Sequence, residues 1–455
     1  MEPFRHHVFI CTQQKAEGVT SCPANNSLQV VEALRKEIAT NGLSNDVQLN
    51  TCSCLGLCDS GPILITYPEG VWYAGVKPQD AAEIVGSHFR DGKPVSRLVR
   101  TDTAAMRAEI LDHRDKYLAA MQARDAAGVL PDDLNQLTRS FMESRAVLTA
   151  LELDIFSKVG NGATAAQVAE AVGGKPHSTE MLLNALVALN LLQKKDGVFS
   201  NTPVTARYFA AGSRDNARPS LMHTAHQWKR WSTLTDCVLA GTAVDRTRVA
   251  ARGDTWTQAF IAAMHRNAAE RAPLVLKAVL ANGDQPRRML DLGGGSGAYS
   301  IAFAKAVPGL RAEILDLETV LPLTKQYLAE AGLTDRVSTR VGDLRTDASF
   351  GGGYDLVFIS AICHMFSPDE NRHLLRRALS ALNPGGRVVV QDFILEADKT
   401  SPRFGALFAL NMLVSTDAGD SYSEPEYAAW MNEVGFKDVR RVRLPGPSGL
   451  MIGSK

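Results

Sequence analysis

The sequence predicts a multidomain α/β protein with three parts of different construction. Toward the C-terminus, an apolar segment ending at Leu290-Asp291 is followed by Gly293, Gly295 and Gly297 and then by helical periodicity, as in a strand, tight turn and helix. In the middle of the chain, helical segments precede a turn and a short strand. At the N-terminus, five of the seven cysteines lie within the first 58 residues. We therefore expect a small cysteine-bearing α/β domain, a helical domain and a larger α/β domain.

The composition limits the classes of function. A chain of 455 residues is expected to form two or three domains rather than one core. Lys and Arg number 49, as do Asp and Glu, so there is no basic excess and we expect no nucleic-acid partner. No apolar run reaches membrane-spanning length and the N-terminal residues lack an apolar signal region, so we expect no membrane partner and a cytoplasmic location.

Residues 1–100 are predicted to form the small α/β domain, with strands at 7–11 and 47–51, a hairpin at 61–67 and 70–73, and helices at 27–40 and 78–89. The odd number of cysteines and their clustering favour a local metal or redox site over disulfides. Cys11 and Cys22 are separated by ten residues, and Cys54 and Cys58 by three. Thiolates favour iron-sulfur clusters or zinc, and the C-x2-C spacing of many structural zinc sites is absent.

These cysteines, together with Gly61-Pro62 and the segment 67–78, resemble those of the thioredoxin-like 2Fe-2S ferredoxins over residues 5–99. The resemblance implies a 2Fe-2S cluster bound by Cys11, Cys22, Cys54 and Cys58, and a possible redox partner protein. Cys52 lies two residues before Cys54, so the same side of a strand could present either thiol, and exchange of these two ligands stays open.

Residues 101–130 are predicted to be a helical linker, and residues 131–215 to be a winged-helix domain. Its would-be recognition helix, 178–192, contains no Arg or Lys, so it has nothing to hold DNA phosphates. Such an apolar winged helix resembles the dimerisation domain of the small-molecule O-methyltransferases of the caffeic acid and hydroxyindole type. The resemblance implies a homodimer.

Residues 216–280 are predicted to be connecting helices. They contain His223, His226, Trp228, Trp231 and Trp256, and in the resembled family this region lines the acceptor pocket, where aromatic side chains could stack on a flat substrate. Ordinary packing between domains is an equally good interpretation.

Residues 281–455 are predicted to be a Rossmann-like domain. Strands ending near Asp316 and Asp343 follow the glycines, and a carboxylate about 20 residues after such a turn can bind ribose hydroxyls. The order D-x-G-x-G-x-G resembles that of the class I S-adenosylmethionine-dependent methyltransferases. The resemblance implies an S-adenosylmethionine site that includes Asp291, which steadies the turn, and the residues Gly293, Gly295, Asp316, Leu317, Asp343 and Leu344.

The candidate catalytic base is His364, in a loop after the predicted strand 354–360. Histidine suits the removal of a phenolic proton because its pKa lies near neutral pH. The segment 362–369 resembles the one that carries the base in this family, and Asp392 matches the carboxylate that steadies the base, as Asp instead of the usual Glu. A second acidic partner is expected near Asp420, Ser421 or Glu424, with the choice among them open.

Two functions follow. The preferred one is S-adenosylmethionine-dependent O-methylation of a small hydroxylated aromatic metabolite, in a chain that also carries a 2Fe-2S domain for electron transfer or redox sensing. The alternative is a ferredoxin-like carrier or sensor whose methyltransferase-like half only binds a ligand. The identity of the acceptor and the role of the iron-sulfur domain are not determined by the sequence.

Overall fold

A computed structural model describes residues 3–15, 20–128, 130–245, 254–281, 283 and 285–455. Residues 16–19 of the predicted loop after Cys11 and residues 246–253 of the predicted connecting segment therefore lie outside the described part. The chain divides into two compact units, Met1–Ser140 and Phe141–Lys455.

The first unit is built on a four-stranded mixed sheet in the order β2-β1-β3-β4, in which β1 is parallel to β2 and antiparallel to β3. Val8, Ile10, Leu34, Ile84 and Phe89 are among the residues of its core. Its strands and helices are β1 (His6–Cys11), α1 (Ser27–Thr40), β2 (Val47–Cys52), β3 (Leu64–Tyr67), β4 (Val71–Tyr73), α2 (Ala81–Glu83) and α3 (Thr103–Ala126). The two predicted strands 61–67 and 70–73 form an antiparallel hairpin.

The predicted helix 78–89 is not one regular α-helix. A 3-10 turn, Pro78–Asp80, precedes α2, and a π-helical turn, Ile84–Arg90, follows it. The Asp80 carboxylate accepts a hydrogen bond from the Lys77 backbone N–H at 2.7 Å, which satisfies a free donor at the start of this stretch.

The first part of the second unit is helical with a small three-stranded wing. The helix α4 (Asp132–Glu152) crosses the boundary at Ser140 and is followed by α5 (Ile155–Val159), β5 (Ala163–Thr164), α6 (Ala165–Val172), α7 (Pro176–Ala188), β6 (Leu192–Lys195), β7 (Val198–Asn201), α8 (Pro203–Tyr208), α9 (Arg218–Trp231), α10 (Leu234–Ala240) and α11 (Asp254–Val279). The wing strands pair antiparallel in the order β5-β7-β6.

Two helix boundaries in this part differ from the prediction. The apolar spacing from Leu134 through Phe156 predicts one helix, but Asp154 adopts a φ of 55° and a new helix begins at Ile155. The predicted helix 178–192 ends at Ala188, because Asn190 adopts φ 58 and Leu192 starts a wing strand. In both cases one residue with positive φ interrupts an apolar periodicity that would otherwise continue.

The second part of this unit contains a seven-stranded sheet in the order β10-β9-β8-β11-β12-β14-β13, in which the five strands from β10 to β12 are parallel. Its elements are β8 (Arg288–Leu292), α12 (Ala298–Ala306), β9 (Arg311–Asp316), α13 (Leu321–Glu330), β10 (Val337–Val341), β11 (Tyr354–Ser360), α14 (Pro368–Ala381), β12 (Leu382–Asp392), α15 (Arg403–Leu413), α16 (Glu424–Val434), β13 (Lys437–Arg443) and β14 (Gly449–Ser454).

The strand order places a switch point between β8 and β11. From β8 the chain adds β9 and β10 on one side, and then β11 and β12 on the other. Ligands of open parallel sheets bind at the carboxyl ends of strands at such a point. The glycine turn that follows β8 and the loop that follows β11 are therefore neighbours at the ligand-binding edge.

The antiparallel strands β13 and β14 were not predicted. Along the strand β14, Gly449 to Gly453 are buried on both faces, so its sequence lacks the alternation that marks a half-exposed strand. Among the described helices, none combines the length and apolar character needed to cross a bilayer.

Candidate active site

The glycine turn has a left-handed backbone conformation at three positions, which glycine adopts without the steric strain that a side chain would cause. Gly293, Gly295 and Gly297 have φ values of 70, 57 and 76°. The Gly293 N–H donates to the Leu315 carbonyl at 2.8 Å, and the Gly295 N–H donates to Asp316 Oδ2 at 2.7 Å. These hydrogen bonds tie the turn after β8 to the end of β9.

The Asp291 side chain packs against this turn. Its buried carboxylate accepts a hydrogen bond from Ser300 Oγ at 2.6 Å, in the first turns of α12. A Cβ added to Gly294 would lie 2.8 Å from this carboxyl group, so the turn packs directly on it. Burial raises the pKa of Asp291 to about 7, and the neighbouring Asp316 adds to the effect while Ser300 opposes it.

The residues expected around the donor nucleoside meet at the same edge. The Asp316 carboxylate accepts from the Leu317 N–H at 2.7 Å as well as from Gly295. Asp343 Oδ1 accepts from the Arg345 N–H at 2.9 Å. Leu344 is buried, and its Cδ1 would lie 3.3 Å from a Cβ added to Gly293.

The base candidate lies in the neighbouring loop. A Cβ on Gly293 would overlap Ile362 Cδ1, so the loop that contains His364 packs against the glycine turn. His364 Nδ1 lies 2.6 Å from Asp392 Oδ1, and the His364 backbone N–H donates to Asp392 Oδ2 at 3.1 Å. His364 Nε2 has no hydrogen-bond partner among the described residues.

Asp392 is a buried anion held by several donors. Burial opposes its ionisation, but the charge and hydrogen bond of His364, the Phe393 N–H at 2.8 Å and the Tyr427 hydroxyl at 3.0 Å bring the pKa of Asp392 below its ordinary value. An ionised Asp392 favours the tautomer of His364 that carries its proton on Nδ1. Nε2 then has a lone pair available to accept a proton.

None of the three residues expected as a second partner of the candidate base hydrogen-bonds to His364 through its side chain in the described part of the chain. The Asp420 backbone N–H donates to the His364 carbonyl at 3.1 Å, while the Asp420 carboxylate pairs with Lys399 at 3.3 Å. The Ser421 hydroxyl is buried without a hydrogen-bond partner in the described residues, and Glu424 pairs with Arg441 at 3.2 Å. Tyr427 supports Asp392 instead. No sequence signal identified Tyr427, since it lies one turn into α16, outside any motif.

Aromatic side chains lie close to the His364 ring. The ring of Phe408, on α15, lies 4.9 Å from the His364 ring in edge contact, and Phe393 lies 6.0 Å away. Phe404 packs against both Phe393 and Phe408. Such a wall is suited to a flat apolar ligand.

Trp231 and His265, in the predicted acceptor-lining segment, contact this region. Trp231 Nε1 donates to Asn411 Oδ1, on α15, at 3.0 Å. His265, on α11, lies 2.9 Å from Ser296 Oγ in the glycine turn and stacks on Tyr327 with ring centroids 4.0 Å apart. His265 was not predicted as a site residue, and only its position in the segment 216–280 pointed toward it.

In the first unit, the four cysteines proposed as ligands form two pairs near one lysine. Cys11 and Cys22 are hydrogen-bonded to each other, and the bond from Cys22 lowers the pKa of Cys11 to about 6. Cys54 and Cys58 have their sulfur atoms 3.3 Å apart. Lys15 Nζ donates to Cys58 Sγ at 2.9 Å. Although burial opposes it, the nearby Cys58, Cys54 and Cys11 raise the pKa of Lys15, so both pairs face the same ammonium.

Comparison with known proteins assigns the second unit. Residues 231–437 match the model of the O-methyltransferase domain, and residues 135–211 match the model of the O-methyltransferase dimerisation domain. The chain is 31% identical over 336 residues to the 3-hydroxy-5-methyl-1-naphthoate 3-O-methyltransferase of Streptomyces sahachiroi. The aligned region covers 71% of this chain and 95% of that protein. The chain also superposes on the solved structure of PigF with SAH with a TM-score of 0.65 and 27% identity, over 72% of this chain and 100% of the other.

The chain therefore belongs to the O-methyltransferase family. The prediction of an S-adenosylmethionine-dependent O-methyltransferase, made from the glycine turn and the His364 loop, is confirmed at the level of the family.

A further comparison concerns the N-terminal part. The chain is 42% identical over 96 residues to the 2Fe-2S ferredoxin of Clostridium pasteurianum. The aligned region covers 21% of this chain and 94% of that ferredoxin. The chain is thus similar to two separate kinds of protein, a 2Fe-2S ferredoxin over its N-terminal part and O-methyltransferases over the rest.

Proposed function

We propose that the chain transfers a methyl group from S-adenosylmethionine to the hydroxyl of a small aromatic metabolite, with His364 as the general base. The observation that supports this most is the 2.6 Å contact between His364 Nδ1 and Asp392 Oδ1, beside the glycine turn. The named relative acts on a hydroxynaphthoate, which is a flat hydroxylated ring. The aromatic wall of Phe393, Phe404 and Phe408 fits an acceptor of that shape.

The glycine turn fits the proposed donor. A Cβ at Gly293 would fill space between Ile362 and Leu344, and the backbone at three glycines has φ values that exclude most side chains. Gly293, Gly295, Asp316, Leu317, Asp343 and Leu344 would hold the nucleoside, and Asp291 would hold the turn. When bound, S-adenosylmethionine supplies a methyl group on a good leaving group.

The chain's own residues then have two tasks. The first is alignment, because an in-line displacement needs the acceptor oxygen close to the methyl carbon. The second is removal of the hydroxyl proton, since a phenol with a pKa of about 10 is mostly protonated at neutral pH. In our proposal His364 Nε2 accepts that proton, Asp392 stabilises the resulting imidazolium, and Tyr427 keeps Asp392 oriented.

We also propose that the first unit binds a 2Fe-2S cluster through Cys11, Cys22, Cys54 and Cys58. The donor set fits, because the two sulfur pairs lie around Lys15 and a Cβ on Gly61 would come within 2.8 Å of Cys22 Sγ. When bound, the cluster supplies one-electron redox chemistry. Electron transfer to a partner protein and redox sensing are both compatible with this assignment.

A homodimer is the third part of the proposal. Leu134, Leu137, Phe141 and Met142 are large apolar residues on α4 that are about half exposed or more in the single chain. Such a row is typical of a surface that another molecule covers. The match to the dimerisation domain favours a second copy of this chain, and sedimentation should give twice the chain mass.

The direct experiment is incubation of the full chain with methyl-labelled S-adenosylmethionine and a set of hydroxylated aromatic acids, under oxidising and reducing conditions. Label in a methyl ether supports the proposal. A different result would favour the carrier or sensor function. In that case the chain binds S-adenosylmethionine and its affinity for the ligand changes when the cluster is reduced, but no acceptor from the set or from cell extract is labelled.

A further inference from the structure

A second group of metal-ligating side chains lies in the first unit, and it includes none of the cysteines. His6 begins β1, Glu69 lies in the turn between β3 and β4, and His88 lies in the helical stretch after α2. One ligand atom of each lies within 4.8 Å of the others. Three segments that are distant in sequence therefore bring two imidazoles and a carboxylate to one point.

The two histidines are buried and incompletely partnered. His6 and His88 are 2% and 0% exposed. Within the described residues, neither Nε2 of His6 nor Nε2 of His88 has a hydrogen-bond partner. His6 Nδ1 does lie 2.8 Å from Glu69 Oε1. Buried ring nitrogens without partners are costly, and a bound cation would satisfy them.

The surroundings of His88 suit a metal ligand. Its Nδ1 lies 2.9 Å from Tyr73 Oη, and the same oxygen accepts a hydrogen bond from the Val95 N–H at 3.1 Å. A phenolic oxygen has two lone pairs, so it can accept from Nδ1–H of His88 as well. That tautomer leaves the lone pair on Nε2, as in other metal sites where the second ring nitrogen is held by an outer partner.

We propose that His6, Glu69 and His88 bind a divalent first-row transition cation such as Zn2+, separate from the cysteine site. Imidazole and carboxylate together suit such cations. Ligand atoms about 2.0–2.1 Å from a shared zinc lie about 3.3 Å apart, so the group must contract. The His6 Nδ1–Glu69 Oε1 distance is already 2.8 Å, so it is the distances to His88 that must shorten. The bound cation would tie β1, the β3–β4 turn and the helical stretch together.

The test is zinc titration of the anaerobically purified full chain, with X-ray absorption at the zinc edge to identify the ligands. We expect one zinc per chain with nitrogen and oxygen ligands at about 2.0–2.1 Å and no sulfur at about 2.3 Å. Bound zinc should also raise the melting temperature of the first unit, because only the folded chain assembles the site. Zinc coordinated by sulfur alone would overturn the proposal, since it would place the metal on the cysteines.

Variants separate this site from non-specific binding. Glu69→Gln and His88→Gln should each weaken zinc binding at least tenfold and abolish the rise in melting temperature. Glu83→Gln, which removes a carboxylate from α2 outside the group, should bind zinc as the wild type does. If His88→Gln does not fold, the variant Glu69→Gln still tests the site, because Glu69 is partly exposed. Wild-type zinc affinity in Glu69→Gln would contradict the proposal.

Discussion

The Tyr427 hydroxyl donates a hydrogen bond to Asp392 Oδ2 at 3.0 Å, from a helix 35 residues further along the chain. On its other oxygen, Asp392 holds His364 Nδ1. His364, Asp392 and Tyr427 therefore form one buried chain of hydrogen bonds. This arrangement differs from the expected second carboxylate, and it leaves a single negative charge to balance a protonated His364.

Replacing the base tests its role without removing the donor site. His364→Gln should lower kcat by about 10²–10⁴-fold, because proton removal by a positioned base contributes that much. Affinity for S-adenosylhomocysteine should not change, since the glycine turn is intact. The measurement is steady-state kinetics with an identified acceptor, and His373→Gln, an exposed histidine on α14, is the control. Wild-type kcat in His364→Gln would show that another group removes the proton.

Removing the Tyr427 hydroxyl tests the support of Asp392. Tyr427→Phe should lower the free energy of unfolding by about 1.5–3 kcal/mol, the range for hydrogen bonds to charged groups. Urea unfolding measures this loss, and Tyr422→Phe is a matched control because its hydroxyl donates to the Phe366 carbonyl at 2.5 Å, a neutral acceptor. We expect the smaller loss in Tyr422→Phe. An equal or smaller loss in Tyr427→Phe would argue against a charged Asp392.

Asp291 makes stability depend on pH in a predictable direction. Its folded pKa of about 7 lies above the unfolded value of about 3.9, so the folded state binds more protons between these values. Stability is therefore highest below about pH 4 for this group and declines as the pH rises through 7, by up to about 4 kcal/mol.

Asp291→Asn should remove that decline. Four of the five tryptophans lie in the second unit, so urea unfolding followed by tryptophan fluorescence between pH 5 and 8 reports on it. The wild type should lose more stability than the variant over this interval. Parallel pH dependences in the two proteins would mean that Asp291 is ionised in the folded state.

Serine variants distinguish the neighbouring thiols of the proposed cluster site. Cys54→Ser should reduce or abolish the visible absorbance of anaerobically purified protein, because it removes a proposed ligand. Cys52→Ser should keep it. Loss of the absorbance in Cys52→Ser with retention in Cys54→Ser would reverse the assignment, and retention in both would indicate that the two thiols exchange.

The parts of the fold that could be predicted from the sequence are those with a local signal. The glycine turn needs positive φ at three positions, and the predicted helix 27–40 has the bounds that its apolar spacing indicates, although Leu28 is exposed. The strand β14 gave no such signal because it is buried on both faces. Asp154 and Asn190 ended helices early through their own backbone conformation, which periodicity does not report.

The site divides in the same way. His364, Asp392 and the glycines of the proposed site lie in short motifs, so the sequence was enough to propose them. Tyr427 and His265 reach the site from α16 and α11, and only the packing of those helices brings them there. The group of His6, Glu69 and His88 likewise depends on three segments meeting, and no spacing in the sequence points to it.

The proposed enzymatic function depends on binding of S-adenosylmethionine at the carboxyl edge of the large sheet, beside His364. Calorimetric titration of the folded full chain with S-adenosylhomocysteine tests it most directly. We expect one molecule bound per chain in both the wild type and His364→Gln, and weaker binding in Gly293→Val, where a side chain would enter the space beside Ile362 and Leu344. Absence of binding by the folded wild-type chain would contradict it.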